Sequence, residues 1–470
     1  MILRTCPSLI VGVAAVLLFQ SAMGMAGTAD AATVPPAARS ADYQPTGEYY
    51  DWTKTRQPEQ PWCHKYDQSL VYKVWNADKI NDGKGCKVYV TYPETLEVIE
   101  RIQRISLGVP QIVYLAGWQY NGHDSRYPAW DEANPHLKRP EDATALDSLR
   151  WLIREARQYN ATVSLHINMF DAYMDSPLWQ EYVDKDIIAK DKDGKPLPGM
   201  NWGGQTSYQI SYAREWETGL AKKRIDGLMK LIPELKDTGT IHIDAFHSTA
   251  IFLKTRGQPN RDYSVISPYL GYSCEQEAAA QRKTFRYFRE YGMDVTSEFN
   301  TELRVDPLIG LQPMAASFKP MKDIPSALYC GTTLHPGCQI KHKNHPVNFQ
   351  RIFCLTTAPW IWNNFIHNPG NHGLYASVDA KLKVVAGGDC CVPLPWKKEP
   401  TVVAYSQAGC QNKIWNLPTT WKSVKSARVF NVTPGMVAEI ERIAVKDGQL
   451  TISLKPGQEI MIAAEAGSQP

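Results

Sequence analysis

Thr240-Ile-His-Ile-Asp-Ala-Phe246 reads as a β-strand that sets His242 and Asp244 on one face and ends at a carboxylate. An amphipathic helix marked by Trp216, Leu220, Ile225 and Leu228 precedes it. The same unit recurs on either side. Glu94 to Ile105 reads as a helix before the strand Gln111-Ile-Val-Tyr-Leu-Ala116, and Leu146, Leu149, Leu152, Ile153 and Ala156 form one helical face before Thr162-Val-Ser-Leu-His-Ile-Asn168. Phe285 and Phe288 mark a helix before Met293-Asp-Val-Thr-Ser-Glu-Phe299. Four helix-then-strand units in succession predict a parallel α/β sheet over residues 90–380, either a barrel or a doubly wound sheet, although Pro and Gly interrupt the pattern from about 310 to 375. Beyond about 385 the texture changes to short alternating runs, Thr401-Val-Val-Ala-Tyr405, Ala438 to Ala444 and Leu450-Thr-Ile-Ser-Leu454, which predict a C-terminal antiparallel β-sandwich over 385–466.

The strand ends carry the chemistry. In a barrel the carboxyl ends of the strands face the active-site mouth. Gly117-Trp-Gln-Tyr-Asn-Gly-His-Asp-Ser125 follows one strand, His166-Ile-Asn168 ends the next, a candidate third ends near Tyr208-Gln-Ile210, and Asp244 and Glu298 end the following two. Two carboxylates on neighbouring strand ends suit glycoside cleavage, where one attacks the anomeric carbon and the other protonates the leaving oxygen. The short, stiffly held side chain of Asp244 suits the nucleophile. The longer Glu298 suits the acid/base, with Glu302 its rival. Trp118, Gln119, His123, Asp124, His166, Asn168 and Trp202 are candidates for substrate contact, Trp118 as pocket wall and Trp202, in Asn201-Trp-Gly-Gly204, as a stacking ring on a lid. Trp130, Trp362 and Asp171 also fall in or beside the expected mouth.

Bulk properties agree with a neutral partner. Fifty-one basic and 48 acidic residues give a formal charge of +3, too weak a field for nucleic acid or an anionic membrane, while 14 Trp and 23 Tyr supply rings that stack on sugars as well as filling cores. Arg4, the apolar run Leu9 to Phe19 and Ala29-Asp30-Ala31 read as an export signal over 1–31, which predicts a secreted or periplasmic protein. The run is short of the ~18 residues of a membrane span, and Cys6 precedes it, so no membrane anchor is expected. Residues 32–89 read as an arm and lead-in. Disulfides persist in such compartments. Cys63 with Cys86, and Cys330 with Cys338, are candidate local pairs, and Cys390, Cys391 and Cys410 compete for partners. There is no Cys-x-x-Cys pair, and no cofactor or metal is expected.

Gly117-Trp-Gln-Tyr-Asn-Gly-His-Asp-Ser125, His166-Ile-Asn168 and Ile241-His-Ile-Asp244 resemble the catalytic barrel of glycoside hydrolase family 101, the endo-α-N-acetylgalactosaminidases that act on mucin-type O-glycans. The resemblance covers about residues 90 to 370. It implies a (β/α)8 barrel, retaining cleavage of α-linked N-acetylgalactosamine in an O-glycan or glycoprotein with release of Gal-β1,3-GalNAc, Asp244 as nucleophile, Glu298 as acid/base, and hydrogen bonds from His123 and Asp124 to sugar hydroxyls. Exo-acting α-N-acetylgalactosaminidases of family 129 share the barrel logic, so exo cleavage and α-galactosidase action stay as alternatives. Two other classes compete. Amidohydrolase-type barrels also present His and Asp at strand ends, and His123, His166, His242, His247 and Asp244 are the ligands such an enzyme would draft, but the His-x-His pair of their first strand is missing. A barrel that binds glycans without cleaving them is the third class, against which both carboxylates speak.

Overall fold

The computed structural model describes residues 48–246, 266–298, 308–315, 328, 339–344, 346–366 and 385–465. Its centre is a parallel sheet of β1 (Leu70–Trp75), β2 (Gln111–Ala116), β3 (Ala161–Asn168), β4 (Thr240–Asp244), β5 (Asp294–Glu298), β6 (Met314–Ala315) and β7 (Gln339–Ile340). The spatial order is β6-β5-β4-β3-β2-β1-β7. Successive strands are therefore neighbours, and β7, late in the chain, adds to the free edge of β1. A barrel uses this run of successive neighbours. Among the described residues the sheet is open between β6 and β7, and an eight-stranded ring is not seen.

The helices between the strands start where the sequence supplies caps. α1 (Tyr92–Ile105) begins with a capping box of Thr91 and Glu94, α2 (Ala145–Glu155) with Thr144 and Asp147, and α4 (Cys274–Glu290) with Ser273 and Gln276. α3 (Leu220–Leu231) starts after Gly219 instead. Their apolar stripes meet alternate strand residues, Val113, Leu115, Val163, Leu165, Ile167, Ile241, Ile243 and Val295, in one buried core. The residues between them point the other way. At the bottom of the sheet's inner face Tyr66, Val71, Ile112 and Tyr114 form a small apolar cluster, and above it the inner face turns polar.

Two expectations are corrected by this arrangement. The sheet begins at Leu70, inside the segment read as lead-in: Leu70-Val-Tyr-Lys-Val-Trp75 pairs in parallel with the whole of β2. Tyr208 and Gln209 do not end a strand of this sheet. They belong to a small antiparallel sheet of Asp171–Ala172, Pro198–Trp202 and Gln205–Gln209, because a glycine turn after Trp202 folds the segment into a hairpin.

The C-terminal part is antiparallel, a six-stranded sheet with a two-stranded ribbon (Cys410–Asn416 with Gln449–Leu454) on one face. Alternation gives the central strands, Asp389–Pro393, Thr401–Ser406 and Gln458–Ala464, two buried faces. Val402, Ala404 and Cys391 join Trp415, Leu450 and Ile452 of the ribbon, whereas Val403, Tyr405, Cys390 and Val392 join the core of the parallel sheet. The second layer is thus a single ribbon, less than the full sandwich expected, since the other face of the sheet is already covered by the α/β part.

The cysteine expectations are also corrected. No disulfide joins any two of Cys63, Cys86, Cys274, Cys354, Cys390, Cys391 and Cys410 among the described residues. Cys63 cannot reach Cys86 because its Sγ is held at the far end of β5, donating to the Gly292 carbonyl. Cys330 and Cys338 lie outside the described residues, as do the candidate export signal, His247 and Glu302.

Candidate active site

Strand register stacks the polar residues into layers. Asn168 pairs with Asp244 at the carboxyl ends of β3 and β4, and His166 pairs with His242 one layer below. Ser297 of β5 pairs with Ile243, so the backbone of Glu298 follows at the level of Asp244. Nothing of the Glu298 side chain falls within the described residues.

A column of rings runs up the inner face. Tyr114, His242, His166, His123 and Trp75 follow one another with centroids 5.2, 5.1, 5.0 and 4.4 Å apart. At its foot the Tyr114 hydroxyl lies 2.6 Å from Thr240 Oγ1, and His242 Nδ1 lies 2.9 Å from Thr296 Oγ1. At its top the Nε2 atoms of His123 and His166 are 3.1 Å apart, and Asp244 Oδ2 lies 3.9 Å from the first and 3.7 Å from the second. Among the described residues these three are the group whose ligand atoms converge closely enough for one metal ion, all within 4.8 Å.

The loop after β2 is shaped to deliver His123. Gly117 adopts φ +87° and lies so close to the first hairpin, Ala77–Ile80 with Gly85–Val88, that a Cβ there would meet the Ala77 carbonyl at 2.0 Å. The His123 amide donates to the same carbonyl at 2.8 Å. Asp124 follows with φ +59° and sets Oδ2 3.5 Å from His123 Nδ1, while Ala245, just past the other wall, has φ +46°. Positive φ at non-glycine residues is costly and clusters where a fold over-determines the backbone.

Three buried titratable groups, Asp124, Asp171 and Lys79, surround this point. Burial, with repulsion from Asp171 and Asp244, holds the Asp124 carboxyl well above the usual range, and Lys79 opposes that rise. Burial lifts Asp171 to about 6. Burial also brings Lys79 down to about 8, against the pull of Asp124. The Lys79 ammonium donates to the Asp124 carbonyl and sits 3.3 Å from the Tyr173 ring centre.

The remaining candidates divide. Trp118 is fully buried, its Nε1 donating to the His166 carbonyl at 3.0 Å, so it braces β3 from behind and does not face the mouth. Gln119 is fully buried beside Tyr127. Asn168 spends its side chain locally: Oδ1 accepts from the amides of Phe170 and Asp171, and Nδ2 donates to Asp171 Oδ2 at 3.0 Å. Trp202 is 38 % exposed on the second hairpin. Trp130 is buried under the Arg224 guanidinium, and Trp362 lies in the helix Ala358–Ile366 against the core, so neither lines the mouth. Lys79 and Trp75 were missed. Both lie in the stretch read as lead-in, although the run Leu70 to Trp75 ahead of the polar Asn76-Ala-Asp-Lys79 is the same apolar strand with polar sequel that marks the other strand ends.

Residues 85–307 match the family model described as endo-alpha-N-acetylgalactosaminidase. That segment is similar to glycoside hydrolase family 101. The matched segment takes in α1 to α4, β2 to β5, and His123, Asp124, His166, Asp244 and Glu298. The fold is also similar to solved structures. An α-N-acetylgalactosaminidase from Bifidobacterium bifidum is 12% identical, with a TM-score of 0.42 over 56% of this chain and 41% of that one. An α-galactosidase from Geobacillus stearothermophilus is 10% identical, with a TM-score of 0.41 over 88% of this chain and 58% of that one. An α-galactosidase from Thermus thermophilus is 17% identical, with a TM-score of 0.33 over 56% and 45%. The chain thus spans about two fifths of the length of the Bifidobacterium enzyme. Among the described residues no helix is long and apolar enough to cross a membrane.

Proposed function

We propose that this protein is an exported, retaining glycoside hydrolase of α-linked N-acetylgalactosamine, acting on mucin-type O-glycans, with Asp244 as nucleophile and Glu298 as acid/base on a closed (β/α)8 barrel. The observation that carries the reading is the register of β4 and β5, which sets the backbones of Asp244 and Glu298 side by side at the carboxyl end of the sheet. Neighbouring strands run about 4.8 Å apart, compatible with the carboxyl separation of about 5–5.5 Å that retention uses. In the first step an Asp244 oxygen bonds to the anomeric carbon as the glycosidic bond breaks, and Glu298 gives its proton to the departing oxygen. In the second, Glu298 takes a proton from water, the water oxygen bonds to the same carbon, and Asp244 leaves as carboxylate. His123 and Asp124 are the donors and acceptors for the sugar hydroxyls, and Trp202 supplies the outer stacking surface.

Aryl α-GalNAc and the aryl α-glycoside of Gal-β1,3-GalNAc test both linkage and mode, since release of disaccharide or monosaccharide separates endo from exo action. Asp244→Ala is expected to abolish turnover of both, with azide restoring part of it and inverting the anomeric product. Full activity in that variant would refute the assignment. A second reading, hydrolysis by a metal-activated water, draws on the convergence of His123, His166 and Asp244. Dialysis against EDTA distinguishes the two, since only the metal reading requires loss of activity and its recovery with zinc.

A further inference from the structure

His123, His166 and Asp244 reach one point from three parts of the fold: the loop after β2, the end of β3 and the end of β4. We infer that this point also binds a divalent first-row transition-metal ion of the zinc class, and that ion and glycoside exclude each other there. The metal site stands on geometry alone, whereas the exclusion rests on the reading of Asp244 as the residue that meets the sugar.

The donor triangle has the right size. Its edges are 3.1, 3.7 and 3.9 Å. Four ligands about 2.0–2.1 Å from a tetrahedral zinc lie about 3.4 Å from one another. Seating an ion therefore asks for only small shifts of side chains already in place. Two imidazoles and one carboxylate select zinc, copper, nickel or cobalt over magnesium and calcium, which take oxygen ligands. Without an ion the facing Nε2 atoms satisfy each other only if one ring donates and the other accepts; with one, both present lone pairs to it.

The surroundings are those of a ligating set. Asp124 Oδ2 stands 3.5 Å from His123 Nδ1, an outer oxygen that can accept a hydrogen bond from Nδ1 and leave Nε2 to the ion. His166 is held from behind by the bond from Trp118 to its carbonyl and is packed between the rings of His123 and His242. Entry is open, because the His123 and Asp244 side chains are 13% and 19% exposed. Three protein ligands leave a fourth position for water or a sugar hydroxyl.

Calorimetric titration of the full chain, without affinity histidines, with zinc chloride tests the site, and cobalt(II) absorption reports its geometry. One ion per chain is expected, with His123→Gln and the near-isosteric Asp244→Asn each weakening binding at least tenfold while melting like the wild type. His136→Gln, at an exposed histidine away from the cluster, serves as control and should bind as before. Zinc is expected to inhibit aryl α-GalNAc hydrolysis competitively and reversibly by EDTA, and free GalNAc to raise the apparent zinc Kd. Absence of stoichiometric binding at millimolar zinc, binding indifferent to both variants, or zinc saturation that leaves hydrolysis unchanged or accelerates it overturns the inference. Zinc binding that depends on both variants in a protein that cleaves no aryl glycoside keeps the metal site and removes the glycosidase reading.

Discussion

The ammonium of Lys79, 3% exposed on the hairpin after β1, is buried against the carbonyl oxygen of Asp124. It places one cation beside the Asp124 and Asp171 carboxyls, and it lowers the proton affinity of both. Lys79→Met therefore lifts Asp124 and Asp171 further. The acid limb of kcat/KM is expected to move to higher pH, and kcat/KM at neutral pH to fall roughly 10- to 100-fold. A pH–rate profile identical to the wild type would remove Lys79 from the electrostatics of the site.

Asp171 offers a test on stability. Its carboxyl is lifted by burial from 3.8 to about 6 in the folded protein. Between those values the folded state holds more protons than the unfolded one, so stability falls as pH rises through that window, and the loss is complete above it. The neutral Asp171→Asn escapes this cost and can still accept from Asn168 Nδ2. It is expected to melt higher than the wild type at neutral pH, by on the order of 2–3 kcal/mol, with the advantage gone below about pH 4. A variant that is less stable at both ends of the range contradicts this account.

Asp124→Asn isolates the carboxyl that faces His123. Asn tolerates the left-handed backbone that Asp124 adopts at φ +59°, so the melting temperature should hold. Loss of a carboxyl contact of about 0.5–1.5 kcal/mol is expected to lower kcat/KM roughly 2- to 10-fold. A variant that loses thermal stability and keeps its kinetics would make Asp124 a brace of the loop only.

Glycines at two positions predict opposite outcomes for the same substitution. At Gly117 a methyl would collide with the Ala77 carbonyl at 2.0 Å, backbone against backbone, at φ +87°. Gly117→Ala is expected to cost more than about 4 kcal/mol and to yield little folded protein. Gly227 lies inside α3, where a methyl would meet nothing within 4 Å, so Gly227→Ala is expected to add about 0.5–1 kcal/mol. Urea unfolding of both variants checks the pair.

Strands β2 to β5 and the helices between them were legible in the sequence because alternation, helical periodicity and capping residues act over a few neighbours. Predicted Gln111–Ala116 coincides with β2, and Thr162–Asn168 differs from β3 by one residue. Asp244 and Glu298 were legible for the same reason, as polar ends of apolar runs. β1 was hidden because a Pro-rich arm and no regular helix precede it, and the hairpin that carries Lys79 went with it. Which polar ends meet was decided only by the tertiary structure. Parallel register sets Asn168 beside Asp244, yet the Asn168 side chain turns away to hold Asp171, and Trp118 is spent on a peptide carbonyl behind His166. The sequence by itself determined the elements and the carboxylates at their ends; the convergence of His123, His166 and Asp244 depended on the fold, because those residues are over 40 positions apart and only strand pairing and the close approach at Gly117 bring their nitrogens and oxygen together.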